Sequence, residues 1–179
     1  LTALKALQLD RIWWLVSPQN PLKQHAPKDI AERVAACRAL ADHPKIFVSD
    51  EETRLGTQYA IDTVRRLKAA NPGVRFIWLM GADNLHGFRR WQHHDIIAQT
   101  VPIAVLDRPG YSYRAISAGR YLLKDRQPVA RFRMMALGAH SKPPVWCFIA
   151  GRRHHASATA LRQAGQDPAS QGAFVESHN

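Results

Sequence analysis

"VRFIWLM", residues 74 to 80, runs directly into "GADNLHGF", residues 81 to 88, and this junction decides the fold. The first stretch is nearly continuous in hydrophobicity and rich in β-branched and aromatic side chains. That is how a strand covered on both faces reads, the usual state of strands in a parallel sheet. The second stretch opens a turn. Gly81 permits a close backbone approach, and Asp83 stands where a carboxylate can accept hydrogen bonds from ribose hydroxyls. On local grounds Asp83 serves equally well as the N-cap of a following helix.

Four further runs share the character of the first: "RIWWLV" (11 to 16), "KIFVS" (45 to 49), "VPIAVL" (101 to 106) and "VWCFIA" (145 to 150). Longer amphipathic stretches separate them. Asp29 followed by Glu32 makes a capping-box pattern ahead of Ile30, Val34 and Cys37, which share a helix face. A second helix is expected from near Thr57, with Ile61, Val64, Leu67 and Lys68 at helical spacing, and ends at "NPG" (71 to 73). A third covers roughly 87 to 99 with Phe88, Trp91 and Ile96 inward, and 112 to 140 reads as helical with weak patterning. Strand and helix alternating in this way predict an α/β fold, an open parallel sheet joined by right-handed crossovers.

The chain of 179 residues fits one domain able to bury a core without disulfides or a structural metal. Its tail from Gly165, "GQDPASQGAFVESHN", carries turn-forming residues and is expected to fray. "LTALKALQLD" at the front has leucines at 1, 4 and 7 but neither a cap nor a starting Met, so it reads as the end of a helix whose beginning is missing. Cys37 and Cys147 lie in separate apolar stretches outside any C-x-x-C pair, which suits small buried hydrophobes in a reducing compartment better than zinc or redox chemistry. No apolar run is long enough to span a bilayer and no signal-like segment opens the chain, so a soluble cytoplasmic protein is expected. The formal charge of +11 favours anionic partners. Arginines and lysines are spread along the chain, a distribution closer to a solvated cationic surface than to a nucleic-acid stripe.

In open parallel sheets ligands bind beyond the carboxyl ends of the strands. The strand assignment therefore places "SPQNPLK" (17 to 23), "GADNLHGF", "DRPGY" (107 to 111) and "GRRHHASATALR" (151 to 162) along one edge. In the last segment Ser157 can cap a short helix ending at Gly165, and a helix start holds phosphate oxygens well. Thr159 adds a hydroxyl there and Arg162 a bidentate donor. A plain capped helix accounts for the same residues. Metal binding by His154 and His155 is disfavoured, because neighbours on an extended segment face opposite ways, and His93 with His94 fares no better. Trp91 can stack on a ligand ring or act as a packing anchor. Asn20 and Pro21 form a turn that can present Lys23 to an anion, against the default of a solvated lysine. "DRPGY" is first a proline-glycine turn and second a place from which Arg108 can reach a substrate.

Together "VSPQNPLK", "GTQYAIDTV", "WLMGADNLHGFRRWQHHDII", "VLDRPGY" and "SATALR" resemble, in order and spacing, the bacterial nicotinate mononucleotide adenylyltransferases, especially the alphaproteobacterial type. The likeness runs from residue 1 to about 165. It implies a Rossmann-like fold of the H-x-G-H nucleotidyltransferase superfamily. The implied activity uses Mg²⁺ to join ATP to nicotinate mononucleotide, yielding deamido-NAD and pyrophosphate. By position, Ser157, Thr159 and Arg162 match the family's I-S-x-T-x-x-R grip on the ATP phosphates, with Ala156 in place of the isoleucine. Gly81 and Asp83 match the G-x-D on the adenosine side, and Trp91 the tryptophan that stacks on the nicotinate ring. Tyr59 and Ala60 match the S-Y-T segment near the pyridine carboxylate, a backbone contact in the family. Asn20, Lys23 and Arg108 match positions around the mononucleotide.

The sequence contains no H-x-G-H. In the family that motif follows the first strand, which is central in the sheet. The resemblance therefore implies a truncated record of a working enzyme: the first strand is missing, much of the binding edge is kept, most of the chemistry is lost, and the first and third runs face a gap or pair abnormally. Two rivals remain. A basic nucleic-acid-binding module would explain the charge and predict steep salt dependence, whereas the enzyme predicts saturable ATP binding and no nucleic-acid partner. Phosphopantetheine adenylyltransferase shares the fold and the phosphate signature but fits Trp91 and "GADNL" less well.

Overall fold

The computed structural model describes residues 1–17, 29–123, 125–138 and 143–151, together with the backbone of 173–176. All five apolar runs are strands: β1 (Arg11–Leu15), β2 (Ile46–Ser49), β3 (Ile77–Gly81), β4 (Ile103–Leu106) and β5 (Trp146–Ile149). A further strand, β6 (Ala173–Glu176), completes a sheet ordered β2-β1-β6-β3-β4-β5. β1 pairs parallel to β2, and β3, β4 and β5 pair parallel in turn. β6 runs antiparallel to both β1 and β3, so β1 to β5 all point the same way and their carboxyl ends share one edge.

β6 fills the place where the first and third runs were expected to face a gap. Ala173 lies opposite Trp14 on one side and Leu79 on the other, and Val175 opposite Ile12 and Ile77. The expectation of fraying is thus corrected for 173–176, while the rest of 165–179 lies outside the described residues. The physical reason is backbone accounting: the inner edges of β1 and β3 carry N–H and C=O groups that need partners, and the four-residue strand supplies them.

Helices cover both faces. On one, Leu15, Trp78, Met80, Ile103, Val105 and Trp146 pack under α4 (Ala60–Ala70), α5 (Ala82–Gly87), α6 (His94–Thr100) and α7 (Ser112–Leu122). On the other, Ile12, Ile77, Leu79, Ala104, Cys147 and Ile149 pack against α1 (Thr2–Leu7) and α8 (Val129–Leu137). A smaller cluster joins Val16 to Val34 and Cys37 of α2 (Ile30–Leu40). Along β3 alternate residues thus enter different clusters, which is why its sequence shows no polar face. α2 begins as expected, with Asp29 Oδ1 accepting from Ala31 N at 3.3 Å. α4 is tied to its neighbours by Arg66, which donates to the Leu55 carbonyl, and by Lys68 Nζ, which donates to Thr100 O at 2.8 Å.

Two helical expectations need correction. The single helix over 87 to 99 is instead the end of α5, a 3-10 turn (Phe88–Arg90) and α6. Extended backbone at Trp91 (ψ 139°) and a left-handed His93 (φ 53°) break it. The stretch 112 to 140 divides into α7 and α8, because the intervening chain bridges to β5 at Arg126 and Pro128 caps the second helix. A helix not anticipated, α3 (Glu51–Leu55), closes on Gly56 in the left-handed region (φ 62°).

Cys37 and Cys147 are buried and form no disulfide. Burial pushes the Cys147 thiol up to about 12 against the opposing charge of Arg126, which makes it an unreactive small hydrophobe at neutral pH. Among the described residues no helix is long and apolar enough to cross a membrane.

Candidate functional site

The corner between β3 and β4 gathers three of the expected residues. Gly81 ends β3 opposite Leu106 of β4 and is itself the N-cap of α5. Asp83 is therefore not the cap that local reading allowed; it lies in the first turn of α5. Its carboxylate Oδ1 stands 3.7 Å from Arg108 Nε, with the two side chains 41% and 40% exposed. A Cβ at Gly81 would come within 2.3 Å of Asp83 Oδ1 and 3.1 Å of Arg108 Nε. Glycine is needed here for close approach, since its φ of −74° suits any residue. Arg108 sits at the start of a turn closed by Tyr111 N donating to Arg108 O at 3.1 Å. Pro109 and Gly110 (φ 80°) occupy the turn's centre, as in a type II turn. Ser112 Oγ donates to Asp107 Oδ1 and fixes the turn to the start of α7. The corner thus offers an exposed carboxylate and guanidinium on a rigid base.

Trp91, Tyr59 and Ala60 border the core on the α4 side, each partly buried against the same cluster. The Trp91 ring meets Trp78 edge-on with centroids 6.0 Å apart and Phe88 at 5.5 Å. It is a packing anchor that keeps part of its surface accessible. Tyr59 is the N-cap of α4 in extended conformation, and Ala60 is the first residue of that helix. The Tyr59 carbonyl accepts from Asp62 N at 3.0 Å and Thr63 N at 3.2 Å.

Asn20, Lys23, Ser157, Thr159 and Arg162 lie outside the described residues, as do His154 and His155. Their flanking residues are described. Ser17 and Gly151 each lie two residues beyond the end of a strand, β1 and β5, so both segments leave from the carboxyl edge that carries Gly81. Among the described residues no group of three or more His, Cys, Asp or Glu side chains could hold a metal ion.

Sequence reasoning missed a buried polar knot on this edge. Ser17, Thr57 and Thr63 are buried, and Thr63 is fully so. Thr57 Oγ1 and Thr63 Oγ1 are 2.8 Å apart, and the Thr63 hydroxyl donates to Glu52 Oε1 or to Tyr59 O, each at 3.4 Å. Thr57 N donates to Glu52 O at 2.9 Å. Desolvation raises the Glu52 carboxyl above the ordinary glutamate range, opposed by hydrogen bonds from Ser17 and Thr63 and by the charge of Arg33. One signal was present: Thr63 falls on the apolar stripe of Ile61, Val64 and Leu67, and a buried hydroxyl requires a partner.

The chain matches the cytidylyltransferase-like family over residues 1–164. It is 44% identical, over 93% of its length and 88% of the relative's, to a protein of Cereibacter sphaeroides named "probable nicotinate-nucleotide adenylyltransferase". Proteins bearing the same name in Methylorubrum extorquens and a Caulobacter species are 46% and 45% identical over 90% of this chain, covering 87% and 85% of their own.

Proposed function

We propose, since the chain belongs to the cytidylyltransferase-like family and within it to the nicotinate-nucleotide adenylyltransferases, that it transfers AMP from ATP to nicotinate mononucleotide in NAD biosynthesis. The products are deamido-NAD and pyrophosphate. The observation that best supports this use of the carboxyl edge is the meeting of Gly81, Asp83 and Arg108, from neighbouring strands, in one exposed corner.

In the proposed reaction an oxygen of the mononucleotide 5′-phosphate attacks the α-phosphorus of ATP in line. A new P–O bond forms as the bond from the α-phosphorus to the bridging oxygen breaks, and pyrophosphate leaves with that oxygen. Both reactants are anionic, so alignment and charge neutralisation carry the step. Asp83 accepts from the ribose hydroxyls of ATP, with Gly81 keeping the backbone low beneath the nucleoside. Ser157, Thr159 and Arg162 hold the phosphates, and Arg162 stabilises the departing pyrophosphate. Trp91 stacks on the pyridine ring, while Tyr59 and Ala60 present the positive end of α4 to the pyridine carboxylate. Asn20, Lys23 and Arg108 surround the mononucleotide. The pairing of Arg108 with Asp83 supports a role for it between the two substrates.

Mg²⁺ fits this site as a companion of the triphosphate rather than of a protein cage. Among the described residues no group of three or more His, Cys, Asp or Glu side chains could hold it, and the ion favours phosphate and water oxygens. Bound in that way, it would supply charge shielding for the triphosphate.

Titration calorimetry with ATP and with nicotinate mononucleotide, alongside pyrophosphate release, tests the proposal. Saturable binding of both substrates, little affected by moderate salt, is the expected result. Failure to bind either nucleotide, together with tight salt-sensitive binding of nucleic acid, would overturn it in favour of a basic nucleic-acid module.

A further inference from the structure

The buried knot around Glu52 joins the parts of the edge proposed to hold the mononucleotide. Ser17 lies two residues beyond β1 and precedes Asn20 and Lys23 in the sequence. Thr63 sits in the first turn of α4, where its backbone N–H and its hydroxyl both reach the Tyr59 carbonyl. The Glu52 carboxyl lies between them, hydrogen-bonded to both hydroxyls. Its own carbonyl receives Thr57 N and, at 3.4 Å, Thr57 Oγ1, which closes the short connection from α3 to α4.

We infer that Glu52 is a positioning residue for the mononucleotide subsite: its carboxyl, hydrogen-bonded to Ser17 and Thr63, fixes the start of α4 relative to the chain just beyond β1. This rests on the proposed placement of Tyr59 and Ala60 at the pyridine carboxylate. Three observations argue that the group is built for position. Taking a carboxyl out of water is costly, and this one is largely withdrawn from solvent with two hydroxyls as partners. Its partners come from separate parts of the chain, so the bonds join the stretch just after β1 to α3 and α4. Among the described residues the buried polar side chains Ser17, Thr57 and Thr63 all belong to this cluster. A helix start held loosely would smear the direction of its N–H groups, and affinity for a planar carboxylate would fall without any lost contact.

The test compares wild type, Glu52→Ala, Glu52→Gln and Thr63→Val by calorimetric titration of the full chain with nicotinate mononucleotide and, separately, with ATP, with thermal melts of each. Glu52→Ala should raise the Kd for the mononucleotide about tenfold, the cost of losing hydrogen bonds to a largely desolvated carboxyl, and leave that for ATP within about twofold. Thr63→Val should move in the same direction. Glu52→Gln, which keeps an oxygen acceptor for Thr63, should restore mononucleotide binding to within about threefold of wild type. An unchanged mononucleotide Kd in Glu52→Ala, an equal loss for both ligands, or a Gln variant as impaired as Ala would each overturn the inference. If wild type itself fails to bind the mononucleotide, the functional proposal falls first, so the two failures are distinguishable.

Discussion

Two glycines in this protein face the same obstacle in opposite surroundings. A Cβ at Gly81 would meet Asp83 Oδ1 at 2.3 Å, and a Cβ at Gly119 would meet Trp146 Cη2 at 2.3 Å. The Asp83 carboxylate is the free end of a short side chain, about two-fifths exposed at the rim of the sheet. Trp146 is a fully buried indole on β5, and two more of its ring atoms lie within 2.9 Å of the imagined carbon. One neighbour can rotate away, whereas the other can move only by lifting α7 from the sheet. The same added methyl should therefore disturb binding at the rim and folding in the core.

The largest expected effect is that of Gly119→Ala. Overpacking against a fixed ring costs more than the helix gains from alanine, leaving a net loss of about 2 kcal/mol and a fall in Tm of roughly 5 °C. A melting curve decides it. An unchanged or higher Tm would mean that α7 slides freely on β5 and that the two glycines do not differ as argued.

Gly81→Ala sharpens the other half of the contrast. Its backbone is extended and acceptable to alanine, so Tm should stay within about 2 °C of wild type. The displaced Asp83 carboxylate should nevertheless weaken ATP binding on the order of tenfold, because a group moved by an ångström no longer meets its partner. Calorimetry checks both numbers. A variant with normal ATP affinity would detach this corner from nucleotide binding.

The contrast also explains which parts of the molecule could be read from the sequence. The five parallel strands were legible because burial on both faces leaves an apolar run that few other structures produce. The glycine and acid of "GADNL" were legible as a turn at a strand end. The direction of Asp83 was not, since its pairing with Arg108 depends on β3 and β4 being neighbours. β6 was read as tail because "AFVE" is short and set among turn formers; its partners β1 and β3 lie far back in the chain. The break at His93 has no strong local cause beyond the tolerance of histidine for left-handed backbone. Glu52, on a helix of five residues, reads as a solvated acid until Ser17 and Thr63 are placed around it.

Glu52 adds a third kind of response to the comparison, a group that can neither swing away like Asp83 nor resist like Trp146 but can change its charge. Desolvation, partly offset by the hydrogen bonds from Ser17 and Thr63 and by Arg33, raises its carboxyl above 4.5 in the folded protein. Folding therefore favours the protonated form. The associated stability is fully present below the unfolded value of 4.5 and is lost as pH rises through the raised folded value. Glu52→Gln has no proton to lose, so its Tm relative to wild type should be lowest below 4.5 and climb as pH rises across that window. The change should be smaller than that of Gly119→Ala, because the carboxylate is only partly buried and solvent screens it. Melts of both proteins across that range provide the measurement. A difference that stays flat with pH would mean that water already reaches the carboxylate, and that the knot is held by its hydroxyls alone.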